Sequence, residues 1–151
     1  MPPLSAGLLL HRTRDGTREV LLAHPGGPFW ARRDDGAWSL PKGEVDEGED
    51  PYAAARREFA EELGAEPPDG VPVALGEVRL KSRKRVVAWA LEGDFEPEQL
   101  VSMTFALEWP PRSGQLGSYP EVDRVAWFDL DTARVKLNAG QVPLLDALAA
   151  L

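Results

Sequence analysis

The stretch from Asp50 to Gly64 constrains this chain more than any other, because it specifies a helix together with both of its ends. Asp50 is an N-cap residue, and Pro51 follows at the first helical position, where a missing N–H costs nothing. Gly64 supplies the left-handed stop. Between them Ala55, Phe59 and Leu63 recur at i, i+4 and i+8, an apolar stripe that has to be buried against another element. The surrounding sequence offers mainly strands for that purpose. Leu4 to His11 and Glu19 to His24 are β-type runs around Arg14-Asp15-Gly16-Thr17, whose Asp-Gly pair is a hairpin signal. A short strand at Trp38-Ser39-Leu40 and longer ones at Val71 to Leu80, Val86 to Leu91, Met103 to Trp109 and Arg124 to Phe128 are expected. Helices are expected at Asp131 to Val135 and Gly140 to Leu151. The result is an α+β layered sandwich. Pro25 to Ala37 shows neither period and reads as a long ordered loop, a place where function often sits.

With 151 residues, no internal repeat and no long linker, the chain reads as one domain, 1–151. It has no cysteine, which excludes a disulfide framework, a thiol nucleophile and thiolate metal sites. Its apolar runs, such as Ala6 to Leu10, are far shorter than the roughly 20 residues of a membrane span, and no signal-type segment opens the sequence. A cytoplasmic protein without a membrane partner is the expectation. A formal charge of −8 argues against duplex DNA as a partner, since that needs a broad basic face.

The charge is unevenly placed. Gly43 to Ala65 holds eight acids against two bases, whereas Arg79 to Arg85 holds five bases and no acid. On the 50–63 helix Glu58 and Glu62 are one turn apart and Glu61 lies three residues after Glu58, so three carboxylates share one patch. A solvated acidic face is the plain alternative. Like charges at this spacing cost about 0.2–0.5 kcal/mol per pair, however, and a divalent cation would relieve that repulsion. Oxygen-only ligands suit Mg²⁺ or Mn²⁺.

The segment from Gly43 to Ala65 resembles the Nudix box: a glycine, five residues, Glu49, seven residues, then Arg57-Glu58-Phe59-Ala60-Glu61-Glu62-Leu63-Gly64. All seven fixed residues are present. Ala65 stands where the family usually has a bulkier aliphatic residue. The resemblance implies a Nudix-type α/β/α sandwich with a mixed sheet. It also implies that Glu58, Glu61 and Glu62, with the Gly43 carbonyl, hold Mg²⁺ or Mn²⁺, and that Glu49 pairs with Arg57 in support. It implies metal-dependent hydrolysis of a diphosphate linkage in a nucleoside diphosphate-linked substrate, with Glu58 or Glu62 orienting or deprotonating the water. Glu121 resembles a further carboxylate, six residues before a strand tryptophan, seen in diadenosine tetraphosphate hydrolases; an ordinary loop carboxylate is the alternative.

Pro41-Lys42-Gly43 is similar to the entry into the box in dinucleoside polyphosphate hydrolases, and Lys42 would meet an extended polyphosphate as a point charge. From the basic strip, Lys81 and Lys84 are the candidate phosphate contacts, against the alternative of a solvated hairpin tip. Trp38 could stack a base, against the stronger alternative of core packing, and His24 could reach phosphate, against that of an ordinary surface or buried polar residue. Trp89 and Trp127 alternate within strands and read as core. The expected substrate is a dinucleoside polyphosphate or capped nucleotide. The alternatives are a nucleoside triphosphate or nucleotide-sugar pyrophosphatase, and a catalytically idle nucleotide- or RNA-binding module. The intact glutamate trio favours the enzyme.

Overall fold

The chain begins with a hairpin, β1 (Leu4–Arg14) and β2 (Thr17–Pro25), closed by Asp15 and Gly16. Their φ values of 51° and 76° are those a two-residue turn of this kind requires. A computed structural model describes residues 3–151. After a long loop come β3 (Lys42–Glu44) and α1 (Pro51–Leu63). Then follow β4 (Val73–Arg79), β5 (Arg85–Glu92), β6 (Thr104–Glu108), β7 (Leu116–Pro120) and β8 (Val122–Asp129). The chain closes with α2 (Leu130–Lys136) and α3 (Val142–Ala149).

The main sheet runs in the order β4-β5-β1-β2-β8, with β3 also paired to β1, and it is mixed, since β1 and β5 are parallel. Ser5 to Leu10 of β1 are all buried, as expected for a central strand covered on both faces. Leu8 and Leu10 pack with Phe59 and Leu63 of α1, while Leu9 packs on the other face with Leu144, Leu145 and Leu148 of α3. This alternation produces the expected α/β/α layering. Fully burying a side chain such as Phe59 stabilises the fold by about 1.5–3 kcal/mol. The Asp50 carboxylate accepts from the Ala53 N–H at 3.0 Å, and Gly64, at φ 78°, ends α1.

Two differences from the sequence reading matter for the site. Trp38-Ser39-Leu40 is not a strand of its own: Ser39 bridges Ala23 and Trp38 bridges Leu137, while the strand lies at β3. The second difference is β7, which the sequence hides behind Gly117, Ser118 and Pro120 and which pairs with β6 as a separate two-stranded hairpin. Trp89 and Trp127 are half-buried on the α1 face; Tyr52 packs edge-on to Trp89, and Arg12 lies over Trp127. Among the described residues no helix is long and apolar enough to cross a membrane.

Candidate active site

The site arises where β1 and β2 part. They pair only from His11 opposite Val20 out to the turn; on the inner side β1 turns its hydrogen bonds to β3, with Ser5 opposite Glu44 and Gly7 opposite Lys42. Residues 38–41 are wedged into the split. Leu8 donates to the Pro41 carbonyl at 3.1 Å, and Ala23 and Ser39 exchange backbone bonds at 2.7 and 2.9 Å. A cleft of about 380 Å³ opens beside the wedge, lined by Lys42, Glu58, Glu61, Glu62, Met103, Thr104 and Glu121. A smaller lobe shares Lys42, Glu62 and Glu121 and runs inward to Ala23 and Leu40.

Helix α1 turns its carboxylates to this cleft because its apolar stripe is pinned to β1. Arg57 organises the outer side. Its guanidinium forks onto Glu49 with two bonds of 2.9 Å, and also donates to Glu58 at 2.9 Å, Glu61 at 3.3 Å and the Glu44 carbonyl at 3.1 Å. This fork, helped by the Asp46 N–H, holds the Glu49 carboxyl down at about 2. It ties the loop before α1 to the helix. Gly43 gives Glu58 its place against β3, since any Cβ there would overlap the Glu58 carboxylate.

Glu58 is pushed above the usual carboxylate range by burial, against the pull of Arg57. Glu62 is displaced further. Burial raises it to about 8, the Lys42 N–H and ammonium oppose this, and the charges of Glu58 and Glu121 add to it. The Lys42 ammonium is in turn lowered by its own burial. Glu121 leaves the sheet between β7 and β8 and is fixed by its backbone: its N–H donates to the Met103 carbonyl at 2.8 Å and its carbonyl accepts from Gly26 at 3.0 Å. Four carboxylates from two distant parts of the chain therefore border one cleft.

A divalent cation fits this donor set. The ligands are hard oxygens, Glu62 is half-buried with a single N–H donor on its carboxylate, and the missing Cβ of Gly43 leaves room at Glu58. Among the described residues no three acid or imidazole groups already meet at one ligating point, so a cation would have to draw these side chains together.

The other candidates lie elsewhere. His24 is fully buried and does not line the cleft: Nδ1 faces Asp123 at 2.8 Å and Nε2 donates to the Arg33 carbonyl at 2.6 Å, leaving neither nitrogen for phosphate. Trp38 is 3% exposed, packs edge-on to His24 and Phe128, and donates to Asp34 at 2.8 Å, so it offers no face to a base. Lys81 and Lys84 stand exposed at the β4–β5 tip outside the cleft, although the Lys84 charge is close enough to depress the Lys42 ammonium. Met103 and Thr104 line the cleft without having been singled out in the sequence; nothing local marks them, since the β6–β7 hairpin brings them there.

A profile described as NUDIX domain matches residues 1–148. An RNA pyrophosphohydrolase of Rhodospirillum rubrum is 34% identical over 140 residues, 87% of this chain and 80% of that protein. One from Caulobacter vibrioides is 35% identical over 126 residues, 80% of this chain, although the match spans only 64% of that relative. Among solved structures, the Ap4A hydrolase binary complex of C. elegans aligns with a TM-score of 0.64 at 26% identity, over 98% of this chain and 96% of the other. The NUDIX domain of Shewanella oneidensis NrtR, solved with ADP ribose, aligns at 0.66 with 20% identity, over 99% of this chain and 88% of the other, a likeness of fold alone. With likeness in sequence out to residue 148 and in fold across nearly the whole chain, this protein belongs to the Nudix family and is a pyrophosphohydrolase acting on phosphoric anhydrides.

Proposed function

We propose that the chain hydrolyses the anhydride at a 5′ end of RNA, whether a terminal polyphosphate or a cap. The observation that carries this reading is the convergence of Glu58, Glu61, Glu62 and Glu121 with Lys42 on one cleft. Four acids lining one cleft would destabilise a passive binding surface, which argues against the idle-module reading. RNA is favoured as the substrate by the relatives named RNA pyrophosphohydrolase. Since the internal links of RNA are phosphodiesters, its anhydrides lie in a terminal polyphosphate or cap.

Glu58, Glu61, Glu62, Glu121 and the Gly43 carbonyl would hold Mg²⁺ or Mn²⁺, which when bound neutralises phosphoryl charge and acidifies water. Glu58 is engaged by Arg57, whereas Glu62 has only the Lys42 N–H on its carboxylate. Glu62 is therefore the freer of the two and is assigned to accept the proton of the attacking water. Lys42 faces the substrate phosphates, and Glu49 and Arg57 support without touching them.

A second reading, dinucleoside polyphosphate hydrolysis, is favoured by the likeness to the C. elegans Ap4A hydrolase. A substrate panel with Mg²⁺ or Mn²⁺, scored by product identity, separates the two. Triphosphorylated or capped RNA should be cut with a kcat/KM at least tenfold above diadenosine tetraphosphate, ADP-ribose and nucleoside triphosphates. Cleavage of diadenosine tetraphosphate with the RNA ends left intact would establish the second reading instead.

A further inference from the structure

The basic strip lies at the end of the β4–β5 hairpin and is built against its own stability. Arg79 and Arg85 are directly opposite in the ladder, where like charges repel. Beyond them Lys81, Arg83 and Lys84 are all exposed. Among the described residues, only Arg85 of the five has an acid within reach, Glu77 at 3.5 Å, and its buried Nε has no partner there. Of the twelve other bases, Arg12, Arg56, Arg57, Arg134 and Lys136 each meet at least one carboxylate.

The tip is too far out to serve the scissile anhydride, since none of its residues lines the cleft. It is nevertheless adjacent, because Ser5 of β1 pairs with Val86 of β5 on one side and with Glu44 of β3 on the other, so the tip begins beside the strand that carries Lys42. A substrate that ends within the cleft never meets it. A polynucleotide whose 5′ end is in the cleft must continue outward across a molecule of charge −8, and this tip offers it unpaired cations.

We propose that the β4–β5 tip docks the phosphodiester chain of a single-stranded RNA just downstream of the end being hydrolysed. This rests on the RNA-end reading above. The tip thereby sets a preference for long RNA over short substrates, through phosphate contacts that read charge and not sequence.

The test uses the full chain and the double variant Lys81→Gln/Arg83→Asn. Asparagine is chosen because Arg83 sits at φ 71°, a conformation that asparagine adopts more readily than most residues. Kinetics compare a triphosphorylated dinucleotide with a triphosphorylated dodecamer. In a chelator, fluorescence anisotropy follows a 5′-hydroxyl dodecamer of RNA as salt is raised. The wild type should prefer the dodecamer by about tenfold at low salt. The variant should lose that preference, and its slope of log affinity against log salt should shrink by about 1.4, the share of two phosphate contacts. A length preference that survives in the variant, or equal binding of duplex DNA, overturns the docking surface while leaving the RNA-end reading intact if the dinucleotide is cut. Should neither RNA be cut while diadenosine tetraphosphate is, the RNA-end reading fails. The anisotropy then decides the surface: binding that depends on Lys81 and Arg83 supports it, and no binding overturns it.

Discussion

The backbone N–H of Lys42 donates to Glu62 Oε2 at 3.2 Å, while the Lys42 ammonium and the Glu62 carboxylate are both held toward their neutral forms by burial. This contact joins β3 to the last turn of α1 at the centre of the cleft. It leaves an acid that ionises reluctantly beside an ammonium shifted below its ordinary value.

Replacing Glu62 by Gln keeps an acceptor for the Lys42 N–H and removes the charge. In a chelator the variant should be more stable than the wild type at pH 7, by an amount of order 1–3 kcal/mol. The sign follows from the raised folded value. The wild-type contribution is fully present below the ordinary carboxyl value of 4.5 and is lost as pH rises through about 8. Chelated melting temperatures of the wild type should therefore fall across that window, and those of the variant should stay flatter. Hydrolysis should fall at least a hundredfold; activity within a few-fold of the parent would reject the assignment of Glu62 to proton transfer.

Glu49 shifts the other way. Its carboxyl is held at about 2 by Arg57, so the stability it adds is present above 4.5 and is lost as pH falls toward 2. Glu49→Gln should flatten the acid limb of the melting curve and lower kcat, because Arg57 loses the partner that fixes the loop before α1. An unchanged acid limb would show that the ion pair adds nothing to folding.

Helix α1 was legible because its signals are local: a cap, a proline, a stripe and a stop lie within fifteen residues. The cleft was legible through Glu58, Glu61, Glu62, Glu121 and Lys42. β3 escaped because Lys42 to Glu44 forms a strand only by pairing with β1, about forty residues earlier. His24 and Trp38 stand at loop ends, a position that leaves both substrate contact and burial open. Their burial depends on Asp123 and Phe128, about a hundred residues downstream. The basic strip was visible, but its position outside the cleft follows from where the β4–β5 turn falls.

Gly43→Ala tests the backbone side of the site. The added Cβ would overlap the Glu58 carboxylate, which can swing away only by breaking its bond with Arg57. β3 pairing is otherwise undisturbed, so the fold should survive with a melting temperature within a few degrees. Hydrolysis should fall at least tenfold. Retained activity would show that Glu58 has no fixed place against β3.

Glu121 comes from outside the Gly43–Ala65 segment, and its role is the least constrained by the sequence pattern. Its backbone is held at both ends, by Met103 and Gly26, while its side chain is exposed at the cleft. Glu121→Gln should therefore leave the chelated stability unchanged within about 0.5 kcal/mol, as exposed substitutions do. If it shares in holding the cation, the effect appears on adding metal. Wild-type protein at 100 times its dissociation constant for Mg²⁺ gains about 2.7 kcal/mol, a rise of roughly 5–10 °C for a chain of this size. The variant should gain several degrees less at the same concentration, and more Mg²⁺ should restore part of its lost kcat. Equal metal-induced shifts in the two proteins, with hydrolysis unchanged, would return Glu121 to an ordinary loop carboxylate and leave the cation to the α1 trio and Gly43.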